Sequence, residues 1–402
     1  MDDYNEGFSY AVGWNPLMLN FIGAWPFKSN KGIKKYKIWF SFFCVLIFIW
    51  IPLTASVYPL WGNMDAVIEC LSIIIPLIIA LMKLVIFYYY KKEMRVLIDS
   101  VAKDWAVVRK KEEKLVMIEM AKLSRIISII SVFLINITII AYLLFKIWLA
   151  LKMKKEQIIN DSNLVFNLLY TAYLPYSTRE YKYYLPTWAV QCFTTYFSTT
   201  AYASFDSFLS MILLHICGQL TVVGISLKDL INKTNSENLY LFQKNFGRII
   251  KRHEELNQLI KLIDNSFCII LLPQMLVCTL AFCFQGYVLA SSLIDNESND
   301  MSILEMMFFS SYMIYTLIHL FIYCYIGDCL SYNSMSINQW CYESKWYNLP
   351  FKEARLLIFI NFRTYKPLVI TAGKFCAFSR HLFLVILKTS FGYLSMLLTI
   401  KQ

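Results

Sequence analysis

Four histidines, His215, His253, His319 and His381, stand in the chain, and no two of them share a metal-ligand spacing. There is no glycine-rich phosphate loop and no nucleophile elbow. No apolar stretch carries a pair of carboxylates, which argues against a proton relay. These residues speak against an enzyme and call for no cofactor and no metal. What they offer is the chemistry of binding. Thr138, Tyr142 and Phe145 lie on one apolar stretch, and Phe193, Tyr196, Phe197, Thr200 and Ala201 on the next. Met306, Phe309, Tyr312, Met313 and Tyr315 lie on a later one. Taken singly, each reads as helix packing or as part of an interfacial aromatic belt. Taken together, they suit an apolar pocket in which a few hydroxyls orient a small, mostly apolar ligand. Tyr312 and Tyr315 are three apart and share a helix face, so they head that set.

Asp206 is the one acid deep inside an apolar run, followed on the same stretch by His215 and Gln219. The structural reading is a buried acid bonded to a neighbour, with His215 and Gln219 capping the inner end of a span. Polar groups inside membranes commonly tie helices together. The last stretch is different. Arg363, Lys366, Lys374, Arg380 and Lys388 run through it, and a charge inside a bilayer needs water or a partner. Either the final span starts near Phe375, or its helix lines a wet conduit. Met396 and Ile400, one turn apart, could then gate by dewetting, although the sequence alone favours simple lipid contact.

The elements that must hold these residues are membrane helices. The chain has 402 residues, 58% of them hydrophobic and 16% charged, with mean hydropathy +0.51. That composition is an all-α polytopic membrane protein. Spans of about 20 apolar residues fall at 38–58, 66–90, 126–151, 188–214, 267–293, 303–326 and 375–400. Residues 327–374 read as a cytoplasmic anchor segment, and the whole chain, 1–402, as one integral domain. No repeated pair of broken helices appears, which disfavours a transporter. The net charge of +11 sits in loops, not on a nucleic-acid face. The eleven cysteines lack paired spacing and read as packing residues.

Loop charge orients the spans. Lysines and arginines crowd the N-terminal arm, the 2–3 loop, the 4–5 loop and the 6–7 segment, whereas the 1–2 and 5–6 loops carry only acids. The expected topology is a cytoplasmic N-terminus and an extracellular C-terminus. Asn160 and Asn296 head glycosylation sequons in loops assigned to the outside. The acidic N-terminus shows no cleavable signal. The segments Val96 to Ala121 and Phe246 to Ile263 have helical periodicity. They could lie on the bilayer surface or pack as a cytoplasmic bundle.

Late in the chain the sequence resembles the insect odorant receptor family, as a ligand-tuned subunit. Tyr342-Glu343-Ser344-Lys345-Trp346-Tyr347 resembles the family's Tyr-x-x-x-Trp-Tyr signature. Arg363, Lys366-Pro367, Thr371-Ala372-Gly373, Phe375, Ser379, Phe383, Lys388, Ser390 and Tyr393 follow its C-terminal pattern. Asp206, His215 and Gln219 match its fourth helix, while Phe391 replaces a customary Tyr. The resemblance implies a cell-membrane protein of a sensory neuron dendrite and a cation channel opened by a small volatile odorant. It implies a hetero-tetramer with a common coreceptor, whose subunits share a pore lined by the last helix. The coreceptor carries a long 4–5 loop insertion that is missing here. The implied odorant pocket lies in the outer half of the second, third, fourth and sixth spans. It would use Ile75, Thr138, Tyr142, Phe145, Phe197, Ala201, Met306, Phe309, Tyr312 and Tyr315. The implied pore positions are Lys388, Ser395, Met396 and Ile400, and the implied subunit contacts Tyr342, Trp346 and Arg363. A gustatory receptor of the same superfamily ranks second. A G-protein-coupled receptor ranks lower, because loop charge opposes its topology and its signature motifs are absent.

Overall fold

The structure, a computed structural model, describes residues 2–26, 33–62, 64–107, 109–159, 168–176, 178, 180–234, 239–294 and 303–401. It is a bundle of helices in chain order. Short α1 (Asp2–Val12) and α2 (Asn15–Ile22) precede α3 (Ile33–Val45), which continues through a π-helical turn, Leu46–Trp50, into α4 (Ile51–Ser56). The π turn has a local cause. Pro52 has no N–H to donate and its ring crowds the carbonyl four residues back, so the ladder rearranges just before it. Next come α5 (Met64–Tyr89), α6 (Lys91–Ala106), α7 (Lys111–Ile159), α8 (Tyr181–Lys233), α9 (Leu239–Ile294) and α10 (Ile303–Tyr342). The chain closes with α11 (Phe351–Thr364), the short strands β1 (Thr371–Ala372) and β2 (Cys376–Ala377), and α12 (Arg380–Lys401).

Five helices among the described residues are long and apolar enough to cross a membrane, and six if the α5–α6 pair, bent by 73°, counts as one span. At 1.5 Å per residue, the 22 residues of α12 reach about 33 Å, also sufficient for a hydrocarbon core of about 30 Å. The chain is an all-α, polytopic membrane protein. Helices α7, α8 and α9 run 49, 53 and 56 residues, roughly 75–84 Å. They therefore project well beyond any bilayer.

Of the two forms left open by periodicity, these projections take the bundle. Arg252 of α9 grips both carboxylate oxygens of Asp104 on α6 at 2.6 Å. Lys110 bonds Asp229 of α8, Lys228 bonds Glu343 past α10, and Gln243 of α9 bonds Glu353 of α11. The stretch from Val96 to Ala121 is not one helix, however. It breaks between Ala106 and Lys111, where Arg109 turns inward to bond Gln219 of α8 at 2.9 Å.

The centre of the bundle is α8, with Phe205, Phe208, Leu209, Leu214, Cys217 and Leu220 all buried. It packs against α7, α10, α9, α5 and α2. The last span also differs from its sequence reading. Phe375 to Ser379 are not helical, because a β-hairpin occupies Thr371 to Ala377 before α12 begins at Arg380. Its turn puts Gly373 at φ 58° and Lys374 at φ 65°. Glycine tolerates that region freely, and the lysine is held there by Asp264 of α9. Asp264 also accepts from the Thr371 N–H at 2.8 Å, so the hairpin is pinned to α9.

Candidate functional site

In the half of the bundle nearer the α7–α8 connection, α5, α7, α8, α9 and α10 line a cavity of about 180 Å³. Ile73, Pro76 and Leu77 of α5 form one wall, with Thr138 and Tyr142 of α7 beside them. Val277, Cys278 and Ala281 of α9 and Phe308, Tyr312 and Tyr315 of α10 form another. Leu169 and Tyr170 of the α7–α8 connection close one end. That connection is tied down, since Tyr173 N–H donates to the Pro52 carbonyl and Ser56 donates to that of Thr171. Tyr142 in turn donates to the Leu169 carbonyl at 2.8 Å.

The other end of the cavity rests on a buried ionic cluster. Lys83 Nζ on α5 lies 2.7 Å from Asp206 Oδ1 on α8, and His319 Nε2 on α10 lies 2.7 Å from Asp206 Oδ2. The Tyr323 hydroxyl donates to the same carboxylate, and Gln274 of α9 reaches both Asp206 and His319. The cluster touches the cavity through its lining. Lys83 Nζ sits 3.4 Å above the Tyr202 ring, Tyr315 stacks on His319 at 5.5 Å, and Cys278 Sγ is 3.6 Å from His319 Nδ1. A paired, hydrogen-bonded charge is the form in which ionised groups persist inside a membrane protein.

Of the residues expected to meet a ligand, Thr138, Tyr142, Tyr312 and Tyr315 line the cavity. Ile75 does not, although Ile73, Pro76 and Leu77 around it do. Phe145 stands one layer back, parallel to Phe308 at 6.4 Å. Phe197 faces away, stacked on Phe21 of α2 at 4.7 Å, and Ala201 is buried in the main core. Met306 is 37% exposed, and Phe309 packs on Phe308 from outside the lining. The α8 residues that do line it are Thr195, Ser198, Thr199 and Tyr202, a stripe at i, i+3, i+4 and i+7. Hydropathy could not set that phase, because the uncovered side of α8 here is apolar too, with Phe193 55% and Tyr196 53% exposed. Phe308 was missed as well. It sits 5.0 Å from Tyr142 and 6.0 Å from Tyr312, at the hub of the aromatic wall.

Along α12, Ile386 and Ser390 are buried, while Leu394 lies against Gly286 of α9. Lys388, Ser395 and Met396 are uncovered by the other helices. The side chain of Ile400 lies outside the described residues, as do Asn160 and Asn296. Tyr342 is 77% and Trp346 41% exposed, while Arg363 lies 4.0 Å from Glu254 of α9. His215 and Gln219 do not cap a span end. His215 bonds Asp104 at 2.9 Å, and Gln219 accepts from Arg109, inside the cluster that knits the helical projections.

The sequence profile described as 7tm Odorant receptor matches residues 63–391. Over 211 residues, 50% of this chain, it is 26% identical to Odorant receptor 13a of Drosophila melanogaster, covering 49% of that protein. Over 166 residues, 41% of this chain, it is 25% identical to Putative odorant receptor 92a of the same fly, covering 38% of it. The matches thus span about half the length of these curated relatives, or less. In three dimensions the chain is similar to the insect olfactory receptor OR5 from Machilis hrabei in complex with eugenol. The TM-score is 0.82 at 14% identity, over 99% of this chain and 100% of that one.

Proposed function

The chain belongs to the 7tm odorant receptor family, and from that premise we propose that it is the ligand-tuned subunit of a heteromeric, odorant-gated, non-selective cation channel. It is a multi-pass membrane receptor and not an enzyme. One observation carries the proposal: a largely apolar cavity with a few hydroxyls lies apart from α12, much of whose surface, including Lys388, Ser395 and Met396, is left uncovered by the other helices. A binding site and a conduction path on different helices are what a ligand-gated channel needs. In this reading Lys388, Ser395, Met396 and Ile400 face the pore, and the exposed Tyr342 and Trp346 contact a neighbouring subunit. The partner is the common coreceptor, since the α8–α9 connection, Thr234 to Asn238, holds no long insertion.

The coupling path runs down α10. Tyr312 and Tyr315 meet the ligand, Tyr323 packs on Phe378 of the hairpin segment at 5.6 Å, and Asp328 pairs with Arg380 at the start of α12. A ligand opens the channel only as far as it binds the open arrangement more tightly than the closed one. The orientation in this reading is a cytoplasmic N-terminus.

The test is co-expression with the coreceptor and recording from excised patches. Cation current evoked by a volatile panel without added nucleotide is expected, and current that requires a G protein would reject the proposal. Tyr312→Ala and Tyr315→Ala should shift the dose response, and unchanged responses would remove them from the site. Glycan mapping tests the orientation: modification at Asn160 or Asn296 is expected, whereas modification at Asn232 alone would reverse the topology.

A further inference from the structure

The hydroxyl groups around the cavity differ in whether their protons are already engaged. A hydroxyl carries one donor proton and two acceptor lone pairs. Thr138 donates to the Leu134 carbonyl at 3.0 Å, Thr199 to that of Thr195 at 3.0 Å, and Thr316 to that of Met313 at 2.9 Å. Thr195 donates to the Gln191 carbonyl at 2.6 Å, so the 3.0 Å contact between Tyr170 and Thr195 engages the Tyr170 proton. Tyr142 is engaged by the Leu169 carbonyl. These groups offer a ligand acceptor lone pairs only.

Ser198, Tyr202, Tyr312 and Tyr315 are the others that line the cavity. Among the described residues none of their hydroxyls has a hydrogen-bond partner, and none of these oxygens is sealed off by protein. They are not scattered. Tyr202 and Tyr315 press on the Lys83–Asp206–His319 cluster, and Ser198 and Tyr312 lie about one turn from them on α8 and α10. The Lys83 ammonium over the Tyr202 ring holds that ring against the cluster. The other end, by Ile73, Leu169 and Phe308, offers no free donor, because the protons of Tyr142, Tyr170 and Thr195 there are already engaged. Free donors therefore collect at one end of an apolar chamber of about 180 Å³. Apolar cavities of about 150 Å³ take up benzene, so one ring or a short chain of similar bulk fits.

Given the ligand-site reading above, we infer that this cavity is tuned to neutral carbonyl volatiles of single-ring size. Such a ketone, aldehyde or ester would accept hydrogen bonds from Tyr312 and Tyr315, with Tyr202 and Ser198 behind them. Its apolar body would point to Phe308. An unmatched donor in an apolar site is unfavourable, and an acceptor oxygen relieves it where a hydrocarbon of the same shape does not.

The decisive comparison is acetophenone against α-methylstyrene, which replaces the carbonyl oxygen with a methylene. Binding to the purified full chain in lipid nanodiscs is measured by calorimetry. Acetophenone should bind roughly tenfold tighter, the size of one net hydrogen bond. In the double variant Tyr312→Phe, Tyr315→Phe the ratio should fall to within about twofold while α-methylstyrene affinity holds, which shows the cavity intact. Thr138→Val, whose donor is already engaged, should keep the ratio. Equal affinities in the unaltered chain, no binding of either probe, or a ratio that survives in the double variant would each overturn the inference. The first comparison decides even if the double variant fails to fold. Selective binding without any evoked current beside the coreceptor would sink the channel proposal and leave this inference standing.

Discussion

Gly327 of α10 packs directly against the main-chain carbonyl of Phe378, where the hairpin segment runs into α12. A Cβ at position 327 would meet that oxygen inside any real carbon–oxygen contact. The same Phe378 lends its N–H to Ile370, closing the hairpin, and its ring lies beside Tyr323. Here the backbone of α10 comes hard against the segment that leads into α12.

Gly327→Ala should therefore push the hairpin off α10. Overpacking of this kind costs about 1–3 kcal/mol. A lower melting temperature of the purified chain and a weakened ligand-evoked current are expected. A variant that melts and conducts like the parent would show that the contact is slack.

Removing one partner of the buried cluster should be worse than removing the pair. Asp206→Asn leaves Lys83 without its counter-charge and disturbs the contact to His319. A stability loss of about 3–5 kcal/mol is expected for breaking a buried pair. The double change Lys83→Met, Asp206→Leu should recover much of it. Thermal unfolding in detergent reads both, and a double variant no better than the single one would argue against the pairing as the cause.

The aromatic wall makes a sharper prediction than composition could. Phe308→Ala removes the ring between Tyr142 and Tyr312 and should shift the half-maximal odorant concentration by roughly tenfold. Met306→Ala, outside the lining, should stay within about twofold. Equal shifts from both would mean that the cavity is not where the ligand sits.

His253 provides a pH signature away from the spans. It is buried in the α9 projection, and burial, aided by nearby Arg363, lowers its pKa below the ordinary 6.5 against a smaller opposing pull from Glu254. The folded chain thus holds the ring neutral at pH values where the unfolded chain protonates it. Stability from this site is full above pH 6.5 and declines as the pH falls below it. Melting temperatures at pH 7.5 and pH 5.5 should differ less in His253→Gln than in the parent.

The polytopic helical fold was legible because its helices are long apolar runs, and hydropathy needs no knowledge of neighbours. Helix phase was not. On α8, Phe197 and Ala201 look as suitable as Ser198 and Tyr202, and only packing separates them. The hairpin was hidden for another reason. Thr371 to Ala377 is short and mostly apolar, so it blends into the span behind it, and the turn is held by Asp264 more than a hundred residues earlier. Lys83 is the one cation of the second apolar run and Asp206 the one charge of the fourth, yet nothing in their spacing says that they meet.

The order in which the buried cluster is made raises a problem of biosynthesis. Asp206 follows Lys83 by 123 residues, roughly 6–25 s of translation at 5–20 residues per second. During that interval the second span must enter the lipid with an unpartnered lysine, which insertion scales penalise by about 2.5–3.5 kcal/mol. The apolar run from Ile73 to Ile86, with ten isoleucine, leucine and valine residues, must offset that penalty. Substitutions that thin this apolar run would then act during synthesis, trapping the helix outside the membrane before Asp206 has been made.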